Sequence, residues 1–259
     1  MAYTETGDGP LVVLLHGLTC SAAYWLRVVP ILSSLRVIAL DFRGHGLSEH
    51  RDSYGYVDYE RDLLSVLDEL GYDRVSVAGH SLGGYVALLA ATRSDRIGAV
   101  LAIDVKSDWT DADAELADRS RDGSQRVQPD RDALVDRLAR TLQPVILSAD
   151  ELELLAERSI EPLGDGWRFR WDRRVLATEP VDPFVFLSEV PCAAHVMAGS
   201  ESDVMPPDSA ARFATAIPGA VLEVVERIQR EAKAVADLAY PRADSVDVIR
   251  GRLRESEAL

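Results

Sequence analysis

No apolar run in this chain approaches the roughly 18 residues that a membrane-spanning helix needs. The first residues, Met1 to Thr6, hold no basic region followed by an apolar one, so no secretory leader is expected there. Cysteine is scarce: Cys20 and Cys192 cannot make a disulfide framework, and no C-x-x-C is present. A reducing, cytoplasmic setting is the expectation. Positive charge is in deficit, with 28 basic against 43 acidic residues and a net charge of −15. That argues against nucleic acid and anionic membranes as partners. Neither a metal nor a cofactor is expected, which leaves a small molecule as the expected partner. Oligomeric state stays open. Histidine is sparse too: His16, His45, His50, His80 and His195 are all there are.

What is present is a core-forming composition and an alternation. With 259 residues, 47% hydrophobic and 27% charged, the chain reads as one globular domain over residues 1–259. Leu11–Leu15, Arg36–Asp41, Val75–Gly79 and Ile97–Val105 are short apolar runs, the pattern of strands buried on both faces of a parallel sheet. Ala22–Leu32 and Val57–Leu70 read as helices, the second stopped by Gly71. Strand-helix alternation predicts an α/β fold with a mostly parallel sheet flanked by helices. It breaks at Lys106. From Ser107 to about Pro180 the helical patches Ala112–Arg121, Arg131–Leu142 and Ala149–Ser159 predict a helical cap insertion. The acidic run Asp111–Asp122 reads as a solvated helix face. Asp182–Val190 is expected as a short helix, Ala193–Ala198 and Val221–Glu226 as strands, and Pro207–Ile217 and Asp244–Arg254 as helices.

One stretch organises the rest. Val75 to Gly79 is a buried strand, His80-Ser81-Leu82 a turn, and Tyr85 to Ala91 an apolar helix. Strand, sharp turn and helix around G-x-S-x-G form a nucleophile elbow. Gly79, Gly83 and Gly84 carry no Cβ to clash where the chain reverses. Ser81 is therefore the candidate nucleophile. The N–H of Leu82, at a helix N-terminus, and that of Leu18, after Gly17, are the candidate oxyanion donors.

These residues resemble the α/β-hydrolase superfamily over nearly the whole chain. His16-Gly17 looks like its oxyanion-loop motif, Asp41-x-Arg43-Gly44-His45-Gly46-x-Ser48 like its D-x-R-G-x-G-x-S loop, and Gly199 to Asp203 like its acid loop. The resemblance implies an α/β-hydrolase fold, with Asp203 as the acid of a catalytic triad and Asp104 as the fallback. Serine at the elbow, rather than aspartate, implies acyl chemistry: esters, lactones, thioesters, amides or carbon–carbon cleavage of diketones. It also implies a histidine after the last strand, and this chain has none beyond His195. Arg227–Ala239 reads instead as helix, with Arg230, Lys233 or Ala234 near the histidine's place and Arg227, Arg230 and Lys233 as cations for Asp203. Arginine is no base at neutral pH. Serine-dependent hydrolysis with an atypical or incomplete triad is the first reading. A lyase, isomerase or cyclase on the same fold, or a ligand-binding pseudo-hydrolase, is the alternative. His16, Trp25, Trp167 and Trp171 are candidate pocket residues; the Trp167-Phe169-Trp171 cluster can equally be the core of the insertion.

Overall fold

Side-chain alternation decides which face of the sheet each residue serves. In Leu11–Leu15 every residue is buried. Val13 and Leu15 join Ile38, Leu40 and Val77 in one core. Val12 and Leu14 join Val37, Ala39 and Ala78 in another, on the opposite face. A strand buried on both faces is a central strand, flanked above and below by other elements.

The computed structural model describes residues 1–225 except 124, 126, 142–146 and 180. Its elements in chain order are β1 (Ala2–Thr6), β2 (Leu11–Leu15), β3 (Arg36–Asp41), α1 (Tyr56–Leu70), β4 (Val75–His80), α2 (Leu82–Ala91) and β5 (Ile97–Ile103). Then follow α3 (Asp111–Ser120), α4 (Arg131–Thr141), α5 (Ala149–Ser159), β6 (Ile160–Leu163), β7 (Gly166–Phe169), β8 (Ala193–Gly199), α6 (Pro207–Thr215) and β9 (Val221–Val225). The main sheet has seven strands in the order β1-β3-β2-β4-β5-β8-β9. All its pairs are parallel except β1 with β3. This is the expected mostly parallel sheet flanked by helices.

Several local expectations change. β1 is an edge strand that the sequence pattern does not announce. Ala22–Leu32 forms two 3-10 turns, Ala22–Trp25 and Val29–Leu32, rather than one helix; Pro30 has no N–H to continue a helical ladder. Asp182–Val190 likewise makes two such turns, Pro183–Val185 and Leu187–Glu189. β5 ends at Ile103 because Asp104 takes a left-handed φ of 51°. Between β5 and β8 the three expected helices are present. So is an unexpected antiparallel hairpin, β6 with β7. The Arg227–Ala239 segment and the Asp244–Arg254 helix lie outside the described residues.

The chain runs from β2 to β3 on one side, then returns to β4 on the other side of β2. Where the winding direction reverses, the loops leaving neighbouring strands diverge and open a crevice at their carboxyl ends. Leu18 follows β2, and Ser81 and Leu82 follow β4. Both candidate donors therefore stand at that crevice.

Candidate active site

The elbow is built by close approach. A Cβ on Gly79 would lie 2.2 Å from the Gly83 carbonyl carbon, and one on Gly83 would lie 2.3 Å from the Leu15 oxygen. Only glycine fits at either place. The crowding forces Ser81 to φ 49° and ψ −114°, a conformation that costs an L-residue of order 1–3 kcal/mol and persists only where its surroundings impose it. The Ser81 N–H is tied to the Ile103 carbonyl at 2.8 Å. Leu82 is the first residue of α2, so its N–H has no acceptor within the helix.

The opposite wall is the Gly17–Thr19 loop, which two buried imidazoles hold. His16 Nε2 accepts from the Phe42 N–H at 3.1 Å, leaving Nδ1–H to donate to the Gly17 carbonyl at 2.7 Å. His45 Nε2 accepts from the Thr19 N–H at 3.1 Å. Burial pushes the pKa of His16 down to about 4 and that of His45 down to about 3, so both stay neutral and keep these acceptors. Asp41 supports the same wall: its carboxylate accepts from Ala22 N–H at 2.6 Å and Leu47 N–H at 3.0 Å.

Leu18, Ser81 and Leu82 together line a cavity of about 210 Å³. Its far wall holds Tyr56 and Tyr85, then Lys106, Trp109 and Asp113, with Val175 and Leu176 closing it from the insertion. The other candidate pocket residues lie elsewhere. His16 is spent on the oxyanion loop. Trp25 is 1% exposed in the core beneath the 3-10 turns. Trp167 packs with Leu134, Ala156 and Ile160 inside the insertion, and Trp171 packs against the sheet's core. None of the four lines the cavity.

Two carboxylates compete for the acid's role. Asp203 is exposed. Asp104 is fully buried. Its Oδ1 accepts from the Ser202 hydroxyl at 2.6 Å, and among the described residues Oδ2 has no hydrogen-bond partner. Burial pushes its pKa up to about 6. Ser202 is itself fixed, accepting from the Val204 and Met205 N–H groups at 3.1 and 3.0 Å.

All five histidines are described, and none lines the cavity. His80 is buried, stacks on Tyr24 with centroids 5.0 Å apart, and is pushed down to about pKa 3 by burial. His50 Nε2 bonds the Arg170 carbonyl at 2.8 Å. His195 faces Glu223 at 3.2 Å.

Sequence reading missed Lys106, Trp109 and Tyr85. The signal for Lys106 was its place just past the carboxyl end of β5, where such sheets put their ligand contacts. Asp113, expected on a solvated face, instead caps α3 and grips Lys106.

Residues 12–229 match the family model described as alpha/beta hydrolase family. The chain is 32% identical over 171 residues to 2-(acetamidomethylene)succinate hydrolase of Mesorhizobium japonicum, covering 63% of this chain and 59% of that protein. It is 28% identical over 183 residues to a serine hydrolase-like protein of Danio rerio, covering 64% and 56%. The matched part thus spans less than two thirds of either relative. The crystal structure of E-2-(acetamidomethylene)succinate hydrolase superimposes with a TM-score of 0.82 at 25% identity, over 97% of this chain and 94% of that one. The thioesterase domain from the curacin biosynthetic pathway shares the fold, with a TM-score of 0.79 at 20% identity over 96% and 94%. Because that family model covers most of the chain, this chain belongs to the alpha/beta hydrolase family.

Proposed function

We propose that this protein is a serine-dependent acyl hydrolase of a small ester, lactone or thioester. Ser81 Oγ attacks the acyl carbon as its proton passes to water, the alcohol or thiol leaves carrying a proton, and a second water hydrolyses the acyl-enzyme. The N–H groups of Leu18 and Leu82 receive the negative charge that develops on the carbonyl oxygen, the interaction that strengthens on going to the transition state. Asp104, rather than the exposed Asp203, is the acid: a buried carboxylate with an unpartnered oxygen stands ready to orient a base, and Ser202 fixes its direction. The observation that carries the reading is the left-handed Ser81 at the head of α2, on a cavity shared with both donors. The relative named for hydrolysis of an acetamidomethylene succinate supports hydrolytic chemistry.

Without an imidazole at the cavity, Ser81 is poorly activated. Oxyanion stabilisation and binding alone leave about 10³–10⁴-fold over water in enzymes stripped of a triad. Slow ester turnover is the expected level. The same absence favours a second reading, a ligand-binding relative that does not hydrolyse.

A fluorophosphonate probe with intact-mass readout separates the two, together with p-nitrophenyl acetate turnover by wild type, Ser81→Ala, Asp104→Asn and Asp203→Asn. Stoichiometric labelling that Ser81→Ala abolishes, with turnover lost in Asp104→Asn but kept in Asp203→Asn, is the expected result. No labelling and equal background rates in all four proteins leave the binding reading.

A further inference from the structure

The cavity has a second polar end that the acyl chemistry does not use. Lys106 is one of only two lysines among the 28 basic residues of the chain. Its Nζ donates to Asp113 Oδ1 at 2.6 Å and lies 5.4 Å above the Trp109 ring. An ammonium has three N–H donors, and among the described residues this one hydrogen bond is all that Lys106 makes. Asp113 is not free to follow the lysine elsewhere. Its Oδ2 accepts from both the N–H and the hydroxyl of Thr110 at 2.8 Å, closing the capping box that starts α3.

Two more polar groups on the same wall have no partner. The Trp109 indole N–H and the Tyr85 hydroxyl are both buried without a hydrogen bond among the described residues. Tyr85 is only 2% exposed. A buried donor left unpaired costs about 1–3 kcal/mol, so each would gain from a ligand atom that a small side-chain shift lets it reach. The three groups are a cation and two donors, on walls that also hold the Asp113 carboxylate, Ser81 and Thr178 among leucine, valine and tyrosine. The N-terminal end of α3 adds partial positive charge beside them.

We propose that this end of the cavity is a carboxylate subsite, and that the substrate is a short acyl compound carrying a carboxylate beyond its reacting carbonyl. Lys106 supplies the charge, the Trp109 N–H and the Tyr85 O–H supply direction, and Asp113 positions the lysine. Leu18, Ser81 and Leu82 hold the acyl end. The cavity, smaller than the roughly 300–1,000 Å³ of drug-sized sites, suits a compound of this size. The proposal rests on the acyl-hydrolase reading only for the fate of the bound compound, not for its binding.

Binding is therefore measured without turnover. Titration calorimetry on the full-length Ser81→Ala protein compares monomethyl succinate with the neutral dimethyl succinate. A hydrogen-bonded charge is worth about 10- to 100-fold in affinity, so the acid ester binds that much more tightly. Adding Lys106→Met erases the preference, and Lys106→Arg, which keeps the charge, restores most of it. Trp109→Phe removes the N–H together with the second ring beneath Lys106 and weakens the acid ester several-fold, a further check should Lys106→Met fold poorly. Equal affinity for the two esters, no binding of the acid ester, or a preference that survives Lys106→Met overturns the subsite. Failure of hydrolysis itself registers elsewhere, as absent labelling of Ser81 in a wild-type protein that still binds the acid ester selectively.

Discussion

Replacing Asp104 by asparagine should make the protein more stable at pH 8 while removing its activity. The carboxyl is fully buried, and burial raises its pKa from 3.8 to about 6. A group whose folded pKa lies above its unfolded one loses stability as pH rises from the unfolded value through the folded one. Two units at 1.36 kcal/mol each mean that ionised Asp104 weakens the fold by about 3 kcal/mol above pH 6. Asparagine carries no charge, and its carbonyl can still accept from the Ser202 hydroxyl. Its amide N–H would stand where Oδ2 now lacks a partner, at a cost of about 1–2 kcal/mol. The net expectation is a gain of about 1–2 kcal/mol at pH 8 that shrinks to nothing or reverses by about pH 3, where Asp104 is mostly protonated in both states. Urea unfolding at the two pH values, followed by tryptophan fluorescence, measures this. A gain that does not depend on pH, or a loss at pH 8, would refute the argument that an ionised, poorly partnered carboxylate is held there for function.

The histidines run the opposite way. His16, His45 and His80 have folded pKa values of about 4, 3 and 3. The unfolded chain therefore takes up protons first as pH falls below 6.5, and each residue removes up to about 1.4 kcal/mol per pH unit. Burial raises Asp41 and Asp104, which offset part of this. A thermal midpoint that rises between pH 7 and pH 5 would contradict the balance. Gly83→Ala places a methyl group 2.3 Å from the Leu15 oxygen; backbone lies on both sides, so a loss of at least about 1–3 kcal/mol is expected in denaturant titrations, along with loss of fluorophosphonate labelling. Arg27→Ala breaks the paired hydrogen bonds to Glu151 at 2.7 and 2.8 Å. Glu151 stays bound to Ser148, so stability should fall by less than about 1 kcal/mol and the helicity of α5 should persist in circular dichroism.

Elements whose signal is carried by buried apolar runs were legible in the sequence: β2 to β5, α1, α2 and β8 fall within a few residues of their expected bounds. Where backbone chemistry outweighs hydrophobic pattern, the reading failed. Pro30 turned an expected helix into two 3-10 turns. β1 is polar enough to read as coil, and only pairing with β3 makes it a strand. That Ser81, Leu18 and Leu82 meet at one cavity was legible because glycines mark where backbone must approach backbone. The carboxylates were not. Asp104 and Asp203 both follow strands, and burial, which sequence spacing does not encode, separates them. The tryptophans misled for the same reason: a large aromatic fills core as readily as cavity, and Trp25 and Trp167 do the former.

The long passage between β5 and β8 has its own small core, in which Leu134, Ala156 and Ile160 pack with Trp167 and Phe169. It leaves and rejoins two strands that pair side by side. A parallel crossover needs only a dozen or so residues, usually one helix. Most of this passage is therefore surplus to connecting the two strands. Lys106, Trp109, Asp113, Val175, Leu176 and Thr178 reach the cavity from it, while Ser81, Leu18 and Leu82 do not belong to it. Exchanging the passage for another of different length would redraw what the cavity admits and leave the attacking group where it stands. Ser81, Leu18 and Leu82 thus stand on loops outside the passage while most of the walls that select a ligand stand on it, so those walls can drift while Ser81 keeps its place.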